Sequence, residues 1–565
     1  MNQLSLPAPA AWLRHYQAEW FRPDLLAGLT AAAVVLPKAM AYATVAGLPV
    51  EVGLYTALVP MVLYALLGSS RPLSVSTTTT LAILVGSELQ RSAPGGSPAE
   101  LLAASASLTL LVGVMLTLAA VLRLGFVANF ISESVLVGFK SGIGLVIVAD
   151  QLPKLLGLHV EKINFLRDLS SLLQQLPQTS LATLSLALVL LALLVGLQKR
   201  LPHLPAPLLA IALAIGVTAL LGLDRFDVAV VGPVPTGLPA LTLPRLDSIL
   251  GMWPAAAGIA LISFTESIAA GRSFRVHGEP NVNPNQELVA LGLANAAGAC
   301  FGAMAAGGGT TQTAVNRLAG ARSQMAELVT AAAAVLTLLL LAPLIARMPT
   351  AALAAVVVVY SFELIAPAEF LAIRRVRVTE FHWALIAFAG VVLLGTLQGI
   401  LVAVVVSLLA LAQQEVTPPV YALVRKDGTD VFRPLNQAHP TDQSWPGLLL
   451  LRIEGRLFFT NAQGVAIALR RLIEQAQPRV VVLDCSAVID IEYSALRMLI
   501  NLDQHLVRHG IRLWLAALNP TVLEVVKRSE LGERLGRERL LSNVERAVER
   551  YEGQEGLGAK ASAPF

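Results

Sequence analysis

Two short clusters of hydroxyl side chains carry the chemistry this sequence offers. The first is Thr77, Thr78, Thr79 and Thr80 in PLSVSTTTTLAILVG, residues 72–86. The second is Thr310, Thr311 and Thr313, with Gln312 among them, in GGGTTQTAVNRLAG, residues 307–320. Each follows a small or extended piece and runs into helix-forming sequence. A helix that begins there leaves its first N–H groups open. Threonine side chains cap some of them. The remaining donors and the positive end of the helix dipole favour an anion. Each helix end contributes about 0.3–2 kcal/mol, so two facing ends predict an anion site of modest affinity without any fixed cation. One such run alone is equally consistent with β-branched packing against a neighbouring helix. Matched runs in both halves of the chain favour the site.

Two ionisable residues stand in similarly costly places. Lys38 follows Pro37 in VVLPKAMAYATVAGLP, and Glu266 lies in LISFTESIAAGRSF. A charge at the centre of an apolar span costs roughly 2.5–3.5 kcal/mol on insertion scales, so each is expected to face a cavity or a partner. Glu266 is expected to carry a proton or hold a cation during coupling; the alternative is a structural partner for Lys38, or a capping group. Glu133 and Lys140 are expected nearer an interface, orienting helices rather than binding substrate.

The elements that must hold these residues are membrane helices. Of the 565 residues, 55% are hydrophobic and only 14% charged, against about 25% charged in soluble domains. Mean hydropathy is +0.69. Such a chain belongs in lipid. The net charge of +4 comes from basic residues dispersed between apolar blocks, which argues against a nucleic-acid face. A span needs about 20 apolar residues, which places spans near 24–45, 52–70, 99–122, 128–152, 180–198, 204–222, 249–271, 284–303, 324–346, 350–368, 381–396 and 398–414. The two threonine segments, too polar or short to span alone, bring the count to about fourteen. Each is third in its half, and interrupted segments at corresponding positions are the best sequence pointer to a transporter's site. Irregular backbone at membrane depth is tolerated where it is buried in protein or lines a cavity.

Loop charge predicts orientation. Arg71, Arg123, Lys199–Arg200, Arg272/Arg275, Arg317/Arg322 and Arg374/Arg375/Arg377 fall on alternate joints. The others are short or mix signs, as in Glu161/Lys162/Arg167/Asp168 and Asp224/Arg225/Asp227. Both termini are therefore expected in the cytoplasm, with the first span as an uncleaved insertion signal. Five stretches result: a cytoplasmic N-terminus at 1–23, a transmembrane domain at 24–414, a linker at 415–437, a soluble α/β domain at 438–552, and a disordered tail at 553–565. In the soluble part GLLLLRIEG and RVVVLDCS have strand length, while AQGVAIALRRLIEQA and SALRMLINLDQHLVRHG have helical periodicity. Cys300 and Cys485 lie far apart, so no disulfide, metal site or thiol chemistry is expected. No cofactor is expected either. His505 and His509 read as a solvated helix face.

Long ordered stretches resemble the sulfate permease family, also called SulP or solute carrier family 26. DLLAGLTAAAVVLPKAMAYATVAGLPVEVGLYTALVP is similar to its first two segments, and SESVLVGFKSGIGLVIVADQLPKLLG to its fifth. FTESIAAGRSF, NPNQELVALGLANAAGACFG and TQTAVNRLAGARS resemble its eighth, ninth and tenth. The resemblance implies a seven-plus-seven inverted repeat, a core domain moving against a gate domain, and often a homodimer. It also implies an anion site between the starts of segments three and ten, flanked by segments one and eight. Carried over by position, Thr77, Thr78 and Thr79 begin the third helix and Thr310, Thr311, Gln312 and Thr313 the tenth. Glu266 matches the acidic residue of segment eight. Many members have Arg where this chain has Gln312 and Gln where it has Lys38, which suggests that the positive charge has moved between segments. The soluble part resembles a STAS domain through VVVLDCSAVIDIEYSAL. Tyr493 follows Glu492, with Ser494 next, so the phosphoswitch of the anti-sigma-factor antagonists is not implied.

The expected function is secondary active transport of a small inorganic or carboxylate anion, with sulfate first and bicarbonate or a C4-dicarboxylate close behind. Coupling to H+ or Na+ is expected, since a negative-inside potential opposes anion uptake by about 2.3 kcal/mol per charge per 100 mV. A membrane-anchored sensor or scaffold, signalling to a cytoplasmic protein through the STAS domain, is the alternative. No motif for enzyme chemistry is found.

Overall fold

Prolines and capping side chains set where the short helices begin. In the computed structural model the described residues are 10–129, 132–158, 165–201, 204–222, 228–242, 244–245, 249–416, 418–555 and 561–562. They fall into two compact units, Met1–Leu408 and Leu409–Phe565. The charged joint residues Glu161, Lys162, Asp224, Arg225 and Asp227 lie outside the described residues.

The first unit opens with α1 (Phe21–Val45), α2 (Val50–Thr56) and α3 (Val59–Leu67). Strand β1 (Val75–Ser76) leads into α4 (Thr79–Ser92), followed by α5 (Pro98–Val121) and α6 (Glu133–Leu156). After these come α7 (Phe165–Gln175), α8 (Leu181–Arg200) and α9 (Ala206–Leu221). The second half begins with α10 (Ile249–Ser273), α11 (Pro284–Cys300), strand β2 (Gly307–Gly308) and α12 (Thr310–Leu318). Next are α13 (Met325–Leu336), α14 (Ala342–Ile345), α15 (Thr350–Phe362), α16 (Pro367–Val376), α17 (Val378–Leu394) and α18 (Thr396–Val416). With α2–α3 and α13–α14 each taken as one segment, and α7 and α16 set aside, the described residues hold fourteen segments in two sets of seven. Among the described residues, eight helical stretches, some of them two neighbouring helices run together, are long and apolar enough to cross a membrane.

Local chemistry explains the breaks. The expected continuous span over 52–70 divides at Ala57–Leu58, with Pro60 in the first turn of α3, where its missing N–H costs nothing. The span expected to reach residue 368 stops at Phe362, ahead of Pro367. Ser97 and Glu100 form a reciprocal capping box at the start of α5, and Asn283 caps α11 ahead of Pro284. Helices α6, α8, α15 and α17 pack with one another, while α1, α3, α5, α10, α11 and α13 form a second packed group. At the α5–α11 crossing a Cβ on Gly113 would stand 2.5 Å from the Ala296 nitrogen. Only a glycine lets the backbones approach this closely, the small-residue packing of membrane helices.

The second unit is an α/β layer. Strands β3 (Val420–Arg425), β4 (Phe432–Pro434), β5 (Gln443–Ser444) and β6 (Leu448–Ile453) precede α19 (Ala462–Ala476) and β7 (Val480–Asp484). Then follow α20 (Tyr493–Arg508), β8 (Arg512–Ala516), α21 (Pro520–Lys527), α22 (Glu530–Leu535), β9 (Leu540–Leu541) and α23 (Val544–Glu555). β6, β7, β8 and β9 are parallel, and β3 pairs antiparallel with β6. The stretch 415–437, expected as a linker, thus supplies two strands of the sheet. Alternation separates two cores. Leu451, Val481, Leu483, Leu513 and Leu515 face α19–α22, whereas Leu450, Val480, Val482 and Trp514 join the core of α23. Within 553–565, α23 continues to Glu555 and Ala561–Ser562 pair with β5; the other residues lie outside those described.

Candidate functional site

The two threonine clusters meet. β1 and β2 pair antiparallel, with Val75 opposite Gly308 and Ser76 opposite Gly307. Since α4 and α12 each follow directly on one of these strands, they leave the crossing in opposite directions with both N-termini at its centre. Extended backbone inside a membrane unit needs polar partners. Ser263 of α10 donates to the Ala306 carbonyl at 2.7 Å, and the Gly308 N–H donates to Ser267 at 2.7 Å. Asn295 of α11 bonds both the N–H and the carbonyl of Ala306, at 2.8 and 3.1 Å. A Cβ on Gly308 would lie 2.9 Å from the Ser267 Cα, so β2 reaches α10 only as glycine.

A cavity of about 70 Å³ lies at this crossing. It is lined by Lys38, Tyr42, Thr77, Thr78, Thr79, Thr80, Lys140, Glu266, Gly309, Thr310, Thr311, Gln312 and Leu364. That is space for on the order of five water molecules, or one small oxyanion. Thr310 and Thr311 are exposed and stand at its mouth; Lys38, Thr77, Thr79 and Glu266 are buried.

Several donors converge. Thr78 is the N-cap of α4, its Oγ1 accepting from the Leu81 N–H at 3.3 Å. Gly309, the N-cap of α12, has no side chain to cap with, so the first-turn N–H groups of α12 stay open. The Lys38 Nζ is buried without a hydrogen-bond partner, and so is the Thr77 Oγ1. The Lys38 ammonium lies 3.2 Å from the centre of the Tyr360 ring on α15, a cation–π contact, and the charge of Glu363 acts on it. Buried donors without acceptors are costly. A bound anion would satisfy both.

Glu266 is paired, though not with Lys38, the partner of the alternative reading. Its Oε2 accepts from Thr78 at 3.2 Å and its Oε1 from Thr80 at 3.0 Å. The Lys140 Nζ stands 3.6 Å from Oε1. Lys38 is not bonded to it. The expectation that Lys140 sits near an interface is therefore corrected. It lies seven residues past Glu133, about two turns into α6, which carries it into the cavity wall. Sequence reasoning had the signal, a charge within an apolar span, and missed its direction. It also passed over Tyr42 and Leu364, whose types suggest only packing.

Two candidate ligands are bonded to the scaffold, Gln312 while also lining the cavity. Gln312 folds back across Gly309, donating to the Ser74 carbonyl at 3.2 Å and accepting from the Ser76 hydroxyl at 2.8 Å. Thr313 points away from the cavity lining and accepts from the Ser74 N–H at 3.1 Å. One turn further, Asn316 donates to Glu327 of α13 at 2.5 Å, and Ser74 donates to the same carboxyl at 2.9 Å. β1, α12 and α13 are thereby tied into one block.

The sequence profile of the Sulfate permease family matches residues 21–387, and that of the STAS domain residues 439–548. A probable sulfate transporter of Mycobacterium tuberculosis is 33% identical over 542 residues, covering 95% of this chain and 96% of that one. Sulfate transporter 1.3 of Arabidopsis thaliana is 29% identical, covering 95% and 86%. The fold matches the murine solute carrier 26 family member A9 anion transporter with a TM-score of 0.88 at 23% identity, covering 96% of this chain and 93% of that one.

Proposed function

The chain belongs to the sulfate permease family, a family of transporters rather than enzymes, and on that premise we propose that it carries a small anion across the bacterial inner membrane by alternating access. The observation that carries this reading is the pair of orphaned donors, Lys38 Nζ and Thr77 Oγ1, in a small cavity between two helix starts. Thr77, Thr78, Thr79, Thr310 and Thr311 supply hydroxyls, and Lys38 supplies the charge. Gln312 and Thr313 hold the half-helices in place. Sulfate is the first substrate on this reading, with bicarbonate and C4-dicarboxylates its rivals, since threonine and backbone donors bind many oxyanions alike. Glu266, buried beside the same cavity, is the coupling residue for H+ or Na+. Cytoplasmic termini and a homodimer complete the reading.

The test is uptake of labelled sulfate, bicarbonate, succinate and fumarate into proteoliposomes, with and without an inward proton or sodium gradient. One of these anions is expected to accumulate only with a gradient, and Glu266→Gln to lose that dependence. Well-folded protein that moves none of them, in uptake or exchange, overturns the reading.

A further inference from the structure

Three charged side chains share the cavity, and they come from three helices. Lys38 belongs to α1, Glu266 to α10 and Lys140 to α6. α6 packs chiefly against α8, α15 and α17, whereas α10 packs against α4, α5 and α11. The contact of 3.6 Å between Lys140 and Glu266 therefore joins two different helix groups. While Glu266 is ionised, it occupies Lys140; the Lys38 ammonium has no hydrogen-bond partner, and the charge of Glu363, outside the cavity lining, acts on it. Once Glu266 is neutral, two ammonium groups face the same small space. A divalent oxyanion withdrawn from water needs that second charge; a monovalent one does not.

We propose that Lys140 is a second substrate cation, withheld by Glu266 until that carboxylate takes up a proton, so that the site accepts a divalent oxyanion together with one proton. The inference rests on the anion-transport reading above and narrows its substrate class. It also selects the coupling ion. A sodium ion needs coordination space at a carboxylate that Lys140, Thr78 and Thr80 already surround. A proton removes the negative charge and adds no competing cation. Thr78 and Thr80 can still donate to the neutral carboxyl, so Glu266 keeps its place when Lys140 leaves it.

The other charged groups on the elements packed around Glu266 do not enter. Glu88 on α4 is bonded by Arg91, and Glu100 on α5 caps with Ser97. Glu287 on α11 accepts from Tyr64 and Ser69, and Arg317 on α12 pairs with Glu279. Among the described residues, the titratable groups that share the cavity with Glu266 are Lys140, Lys38 and Tyr42.

The experiment uses the full chain in proteoliposomes under an inward proton gradient, reading labelled sulfate and succinate uptake and its inhibition by bicarbonate and formate. Lys140→Gln is expected to raise the KM for both divalent anions about tenfold or more, the size of one lost charge-assisted contact. Inhibition by the monovalent anions should shift less than about threefold. Lys140→Arg should restore divalent uptake, and Glu266→Gln should keep a low KM while losing its response to the proton gradient. Equal shifts for both anion classes, wild-type behaviour in Lys140→Gln, or sodium-driven uptake at equal pH on both sides would overturn the proposal. Wild-type protein that carries only monovalent anions overturns it and leaves anion transport standing. Protein that carries no anion overturns the transport reading itself. Should Lys140→Gln fail to assemble, Lys140→Arg and Glu266→Gln still decide the matter by their proton response.

Discussion

At the scale of single residues, burial decides what a group can do. Lys38 and Glu266 are both buried polar groups in apolar helices, yet they differ in satisfaction. Glu266 has two hydroxyl donors and an ammonium at hand, while Lys38 has a ring face and the charge of Glu363 near it but no hydrogen-bond acceptor. An open donor is the one a ligand can use. Cys485 shows the opposite outcome. It is enclosed at the end of β7, and burial pushes its thiol up to about 12, with the nearby Asp484 charge adding to the effect. Thiolate is the reactive form, so at pH 8 only about one in 10⁴ molecules carries it. In a Cys300→Ser background, Cys485 is expected to resist maleimide labelling at pH 8 and to react once the protein is dissolved in denaturant. Rapid labelling of the native protein would contradict the burial. The linkage has a definite sign. An unfolded thiol ionises near its ordinary value of about 8.5; the folded one does not. The stability Cys485 contributes is therefore whole below that pH and is lost as pH rises toward 12.

At the scale of elements, the crossing of β1 and β2 is what makes two helix ends face one point. Its geometry depends on β2 lying against α10 without a side chain between them. Gly308→Ala would place a methyl carbon 2.9 Å from the Ser267 Cα and 2.7 Å from the Leu73 Cδ1. The leucine can turn; the helix backbone cannot. The strand must then move, carrying the start of α12 with it. Uptake is expected to fall about tenfold or more, in line with the sensitivity of preorganised sites to small displacements. Gly216→Ala, where an added carbon meets nothing within 4 Å, should transport as wild type. If the two glycine variants behave alike, the close approach at β2 is unimportant.

At the scale of the whole molecule, each unit has its own hydrophobic core, one among the membrane helices and a pair on the two faces of the STAS sheet. Asp503 on α20 anchors the second unit, accepting from Arg534 of α22 at 2.9 and 3.0 Å from a fully buried position. Asp503→Asn is expected to destabilise that unit by roughly 1.5–3 kcal/mol, the worth of hydrogen bonds to a charged group. Hydrogen exchange of the full chain reads this directly. Exchange should quicken across α20, β8 and α22, while protection in the membrane helices α1, α5, α10 and α11 stays unchanged. Loss of protection spreading into those helices would mean that the two units unfold as one.

Sequence alone determined the class of the molecule, its helix count, the STAS domain, and the places where polar residues interrupt apolar spans. These are local properties. Hydropathy is summed along the chain, caps and prolines act within a turn, and a charge in an apolar run is visible wherever it falls. Thr77, Thr78, Thr79, Thr310, Thr311, Lys38 and Glu266 were legible for that reason. Only the tertiary structure decided the direction each side chain takes. Gln312 and Thr313 sit in the same short motif as Thr310 and Thr311, but a helix turns about 100° per residue, and the pairing of β1 with β2 claims them for Ser74 and Ser76. Lys140 enters the cavity because α6 packs beside it, and that placement depends on helices more than a hundred residues away. A charge balance of two lysines against one carboxylate is a property of packed helices from different parts of the chain, which is why it cannot be read from any one segment.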